Sequence, residues 1–243
     1  MMKKLFLLAA FVSCMAGVNA QNPKGQFSIK PMAGINVTGL SGGISDMYHY
    51  KVRFTAGVEA EYGVNDWLGV SLGAVYSQEG AKVDGVVKVL SALDDGTTYL
   101  NRVQMNGKLH CEYINIPLLA NFYIPGVKGL AVKAGVQLGL LVGSKMEAVY
   151  YTVSVPYTES SEFTIGSSEE THDSPVFTRV EGNVSDVCKS VDFGIPVGLS
   201  YEYKNVVLDA RYYFGLTKID KTANPDDCRN RYFSFTLGYR FHL

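Results

Sequence analysis

Between Val191 and Leu243 an apolar side chain returns at every second residue in three successive runs. The first is Val191, Phe193, Ile195, Val197, Leu199, Tyr201 and Tyr203, alternating with Asp192, Gly194, Pro196, Gly198, Ser200 and Glu202. After Lys204-Asn205 the row resumes with Val206, Leu208, Ala210, Tyr212, Phe214 and Leu216, against Asp209, Arg211, Tyr213 and Gly215. The last is Phe233, Phe235, Leu237, Tyr239, Phe241 and Leu243, against Tyr232, Ser234, Thr236, Gly238, Arg240 and His242. Successive side chains of a strand point to opposite faces, so each run has one wholly apolar face and one small, polar or charged face. Such a strand suits a wall with lipid on one side and a polar lumen on the other.

The same alternation recurs upstream. Outward rows are expected at Phe27–Val37, Val52–Tyr62, Leu68–Tyr76, Ile114–Phe122 and Leu130–Val142. In the first of these, Pro31 lacks an N–H, which predicts a local irregularity. The sum is an all-β fold: an eight-stranded antiparallel up-and-down transmembrane β-barrel. Links at 64–66, 125–129 and 204–205 are short, whereas those at 41–50, 80–107, 146–189 and 217–230 are long. Loop length is independent of side-chain alternation, and this pattern is that of outer-membrane barrels, with short periplasmic turns and long extracellular loops. Both termini are then expected in the periplasm. Tyr62, Trp67, Tyr123, Tyr201, Tyr203 and Tyr239 fall near the turn end, where an aromatic girdle belongs. A soluble barrel of equal strand count would turn its glycines and charges outward. The unbroken apolar rows and the aromatic last strand weigh against it.

Lys3-Lys4, the apolar stretch Leu5–Val12 and Val18-Asn19-Ala20 predict a signal peptide over 1–20, leaving a barrel domain over 21–243. A lipoprotein reading at Cys14 competes, but Phe11 is bulky where such a site prefers Leu. Beyond the first twenty positions no run of eighteen apolar residues occurs, which excludes spanning helices. The formal net charge of −1 argues against nucleic acid as a partner.

A barrel of eight strands is only wide enough for side chains to fill it. Lys30, Arg53, Lys133, Arg211 and Arg240 point inward on the alternation, against Glu59, Glu61, Glu79, Asp192, Glu202 and Asp209. Buried charges must be paired. The expectation is an ion network plugging the lumen, with Asp209, Arg211 and Arg240 near its centre. A narrow conduit lined by the same groups is the functional alternative.

The 146–189 loop is acidic, with Glu147, Glu159, Glu162, Glu169, Glu170, Asp173, Glu181 and Asp186 against Arg179 and Lys189, but not spaced as a calcium loop. A strand-extending hairpin around Ala148–Val155 and Phe163 is expected within it. Of Cys111, Cys188 and Cys228, the pair Cys188–Cys228 is favoured for a disulfide because both flank the last loops. His49, His110, His172 and His242 have no metal spacing, and neither G-x-S-x-G nor H-E-x-x-H occurs. No catalytic, cofactor or metal residue is expected.

Several segments together resemble the PorT-like outer-membrane β-barrel family of Bacteroidota. They are Gly34-Ile-Asn36, Gly73-Ala-Val-Tyr-Ser77 with Gly80, Tyr113-Ile-Asn-Ile-Pro117-Leu-Leu, and Ala134-Gly135 running on to Lys145. Val191-Asp192-Phe193-Gly194, Asp209-Ala-Arg211-Tyr212-Tyr-Phe-Gly215-Leu216-Thr, Arg229-Asn230-Arg231 and Gly238-Tyr239-Arg240-Phe241 are the most specific. The likeness spans nearly all of 21–243 and departs at the 146–189 loop and in the two residues after Phe241. It implies an integral outer-membrane protein of a Gram-negative bacterium. The family's naming member is associated with protein export to the cell surface, a role that fold likeness does not carry over. The expected partners are outer-membrane lipid, the barrel-assembly machinery during insertion, and a surface or envelope partner at loops 80–107 and 146–189. A small-solute channel and a membrane-embedded hydrolase or acyltransferase are the competing readings.

Overall fold

Alternating rows leave each strand with one face that avoids water, and closing the strands on themselves lets all of them share one polar interior while removing every edge. The computed structural model describes residues 24–42, 48–92, 98–156, 176–186, 188–219, 221 and 228–243. The expected leader at 1–20 lies outside the described residues. So does the centre of the acidic loop, with Glu159, Glu162, Phe163, Glu169, Glu170 and Asp173.

The strands are β1 (Phe27–Ser41), β2 (Tyr48–His49), β3 (Lys51–Asn65), β4 (Leu68–Glu79), β5 (Lys82–Ala92) and β6 (Thr98–Tyr123). They continue as β7 (Leu130–Pro156), β8 (Val176–Asn183), β9 (Val191–Tyr203), β10 (Val206–Gly215), β11 (Arg229–Tyr239) and β12 (Phe241–His242). Antiparallel pairing runs β1–β3–β4–β6–β7–β9–β10–β11 and returns to β1, a closed ring of eight. Closure sets Ile35 opposite Phe235 and Gly34 opposite Thr236. The outer wall is an apolar belt in which Phe54, Leu72, Leu208 and Leu237 are at least 50% exposed, while inward Asn36 and Lys133 are 1% exposed.

One end of the ring carries the short links. Lys204 and Asn205 both have positive φ (47° and 69°), the two-residue hairpin whose twist matches its flanking strands. Trp67, Tyr62, Tyr203 and Tyr239 are exposed around this turn end. Tyr123 departs from the expected girdle: it is buried, and its hydroxyl donates to Glu61 inside the ring. The irregularity expected at Pro31 appears on the facing strand. β1 pairs with β3 without a break, but the partner strand on its other side is interrupted at Arg240, between β11 and β12. A residue without an N–H cannot complete the ladder there.

The other end, the loop end, is taller than the sequence predicts. The stretch 80–107, expected as a loop without period, forms β5 and the first part of β6, which pair from Lys82↔Lys108 to Ala92↔Thr98. β7 continues past the belt to Pro156 and stays paired with β6 as far as Tyr99. The expected hairpin at Ala148–Val155 is thus a prolongation of β7, and β8 lies along it from Lys145↔Asn183 to Thr152↔Val176. Together β5, β6, β7 and β8 make a four-stranded sheet standing above the ring. An outward row built for lipid stops at the belt, because beyond it both faces are free to be polar.

Candidate functional site

The inward side chains settle into three tiers. The middle tier joins Lys30 of β1, Glu59 of β3, Lys133 of β7, and Asp209 and Arg211 of β10. Lys30 Nζ is 2.8 Å from Glu59 Oε2 and 3.5 Å from Asp209 Oδ2. Lys133 Nζ is 2.7 Å from the same Asp209 oxygen. Arg211 donates through Nε and Nη2 to the two oxygens of Asp209, at 2.6 and 2.7 Å, and through Nη1 to Glu59 Oε1. Two glycines make room for this packing. A Cβ on Gly73 would meet Glu59 Cγ at 2.9 Å and Pro117 Cγ at 3.1 Å, and one on Gly198 would meet Arg211 Cγ at 2.9 Å.

Nearer the turn end, Arg240 forms a separate tier. Its Nη1 is 3.0 Å from Glu61 Oε2 and donates to Ser28 Oγ at 3.1 Å. Its Nε lies 2.8 Å from Glu202 Oε2, an ion contact whose angle falls outside hydrogen-bond geometry. The expectation that Arg240 joins Asp209 and Arg211 is therefore corrected. Arg211 is opposite Ser234, six residues before Arg240, so the two arginines are about 20 Å apart along the wall. Arg53 belongs to neither tier: it lies opposite Asn36, toward the loop end, only half-buried.

The third tier, toward the loop end, holds carboxylates among neutral donors. Glu79 Oε1 accepts from Ser77 Oγ at 2.9 Å and Asn115 Nδ2 at 3.0 Å. Asp192 Oδ2 accepts from Tyr213 OH at 3.1 Å and Asn230 Nδ2 at 3.0 Å. The Tyr213 and Tyr232 rings stack with centroids 4.8 Å apart, and Tyr232 OH accepts from Gln137 Nε2 at 2.8 Å. Asp192, expected in the ion network, is thus held by hydrogen bonds and forms no ion pair among the described residues. Asn115, Tyr213, Tyr232 and Gln137 were missed as functional partners because they carry no charge; their inward parity was the available signal. Between this tier and Arg211 lies a cavity of about 30 Å³ lined by Asn36, Ser77, Asn115, Gln137 and Tyr232, enough for a water or two.

The expected Cys188–Cys228 disulfide is not formed. Cys188 is instead in hydrogen-bond contact with Cys111. The segment after β8 folds back on β7, with Val184 N donating to Ser144 O and Leu141 N to Ser190 O, and Ser144 lies opposite Cys111 on β6. That return carries Cys188 to β6.

The family model for the outer membrane protein beta-barrel domain matches residues 19–221. No curated protein matches the chain in sequence. Among solved structures it is similar to Ail, the attachment invasion locus protein of Yersinia pestis, at 15% identity over 90% of this chain and 99% of that one, with a TM-score of 0.39. Neisserial surface protein A is 16% identical over 88% and 97% of the two chains, TM-score 0.41. OprG of Pseudomonas aeruginosa is 13% identical over 93% and 100%, TM-score 0.37.

Proposed function

We propose, for a chain that belongs to the outer membrane protein beta-barrel domain family, a sealed and non-enzymatic barrel that acts through the sheet above its loop end. Membership places it in the outer membrane. The finer reading is that the loop end faces the cell exterior, that the turn end and both termini face the periplasm, and that the chain belongs with the PorT-like group. One observation carries the seal: five charged side chains from four strands meet across the middle of the ring, and the cavity beside Arg211 measures only about 30 Å³. A solute would have to break these contacts to pass, and each broken one would strand a charge in the wall. The four-stranded sheet is left as the part that can meet another molecule. Lipid surrounds the belt, the barrel-assembly machinery inserts the chain, and a surface or envelope partner engages the sheet. Nucleic acid has no place in this reading.

Single cysteines at Lys88 and Thr178 on the sheet, and at Asn205 in the turn, test it in a background whose native cysteines are serine. A membrane-impermeant maleimide on intact cells is expected to label 88 and 178, and 205 only after lysis. A photo-crosslinker at 88 and 178 is expected to capture a partner. Labelling at 205 alone, or no adduct from either sheet position, would count against the reading.

A further inference from the structure

Where β3, β5 and β6 leave the belt, cations crowd together and outnumber the acids beside them, Asp84 and Glu147. Lys82 of β5 stands directly opposite Lys108 of β6 in the ladder. Like charges at such positions destabilise a sheet. Lys51 Nζ lies 3.1 Å from His110 Nε2, and Arg53, Lys82 and Lys108 are all near enough to act on Lys51 electrostatically. The carboxylate within reach is Glu147, opposite Lys108, but it is already engaged by Lys145 at 3.4 Å. Glu181, next in the same row, is held by Lys145 and Arg179. No ion pair joins Lys51, Arg53, Lys82 or Lys108 to an acid among the described residues, and Arg53 Nε is buried without a hydrogen-bond partner. A groove of about 440 Å³ opens beside them, lined by Lys82, Lys108 and Arg179 and also by Asp84 and Glu147, three cations to two acids.

We infer that Lys51, Arg53, Lys82, Lys108 and His110 form a binding site for a ligand bearing clustered phosphates. Phosphate oxygens accept from lysine and arginine together and supply the negative charge the cluster lacks. A groove of this volume suits a phosphorylated headgroup or a free polyphosphate. Burial and the Arg53 and Lys108 charges lower the Lys51 pKa to about 8, and burial with the Lys51 charge lowers that of His110. An arriving anion reverses the repulsion, so binding is coupled to proton uptake near pH 8. The inference takes from the proposed function only that this end faces outward.

Isothermal titration of the purified protein in an uncharged detergent tests the site. One arm uses tripolyphosphate; the other uses micelles doped with a diphosphorylated glycolipid or with its dephosphorylated form. Saturable, salt-sensitive binding is expected in at least one arm, with proton uptake at pH 8. The double variant Lys51→Met with Lys108→Met should weaken it by on the order of tenfold or more. Lys82→Met should weaken it less, and Lys128→Met, in a short link at the turn end, not at all. Proton uptake should vanish in Lys51→Met. Tighter binding to phosphorylated than to dephosphorylated micelles assigns the site to a lipid headgroup; binding of tripolyphosphate alone assigns it to a free phosphate. Silence in both arms, or equal binding by wild type and the double variant, overturns the inference. Solubilised protein has no sidedness, so that failure leaves the orientation untouched, whereas reversed cysteine labelling would remove the outer-leaflet source and spare the site.

Discussion

The middle of the lumen and the rim of the loop end are both built from a handful of charged side chains, and they solve the same problem in opposite ways. In the lumen three cations and two acids are interleaved so that each has a partner within 3 Å, and all five are nearly or wholly inaccessible. At the rim four cations and a histidine lie together, Glu147 and Glu181 are engaged by Lys145, and Asp84 is the acid left beside them. The difference is solvent. Taking an ion out of water costs several kcal/mol unless geometry returns it. At the rim water screens repulsion, so the cost of leaving charges unmatched is small. Charge inside the ring is therefore committed to structure, while charge at the rim stays available to something that binds.

Arg211 is where the lumen half of this contrast breaks most easily. Arg211→Ala leaves Glu59 and Asp209 buried with only lysines to answer them, and should lower stability by roughly 3–5 kcal/mol. An unfolding midpoint in detergent equal to that of wild type would show that water already reaches the tier. Gly73→Ala presses a methyl against Glu59 and Pro117 and should cost about 1–3 kcal/mol. If it is silent, the tier has slack that the packing does not show.

The rim half predicts a smaller effect with a definite sign. Lys51 binds its proton less readily when folded, its pKa falling to about 8 from the ordinary 10.5. Between those values the unfolded chain holds more protons, so stability should rise with pH from about 8 to about 10.5. Lys51 is only partly buried, so screening should keep the gain below about 1 kcal/mol. Subtracting the pH profile of Lys51→Met from that of wild type isolates it. A difference that falls with pH would mean that Lys51 has an acid partner after all.

How much of this was legible in the sequence follows the same division. The rows on β1, β3 and β9 to β11 were readable because lipid tolerates no polar residue on the outward face, and that leaves a strict period of two. Asp209 and Arg211 shared a face by parity alone. Which charges would meet across the lumen was not readable, because ring closure sets the stagger between strands. Glu59 and Glu61 are two residues apart yet serve different arginines, and Arg240 lies a long way down the wall from Arg211. β5 was overlooked because neither of its faces meets lipid. The alternation of Val83, Gly85, Val87 and Val89 with Lys82, Asp84, Val86 and Lys88 is broken by Gly85 in one row and by Val86 in the other. Of the cation cluster, the facing of Lys82 and Lys108 was hidden with it, because that contact exists only where β5 pairs with β6.

Single-channel recording of the refolded protein in a planar bilayer tests the central claim most directly. Interleaved charges that fill the ring predict a silent membrane at moderate voltage, with current appearing only when Arg211 or Glu59 is removed. Steady, reproducible openings of the wild-type protein would contradict the seal and make the paired charges the lining of a path.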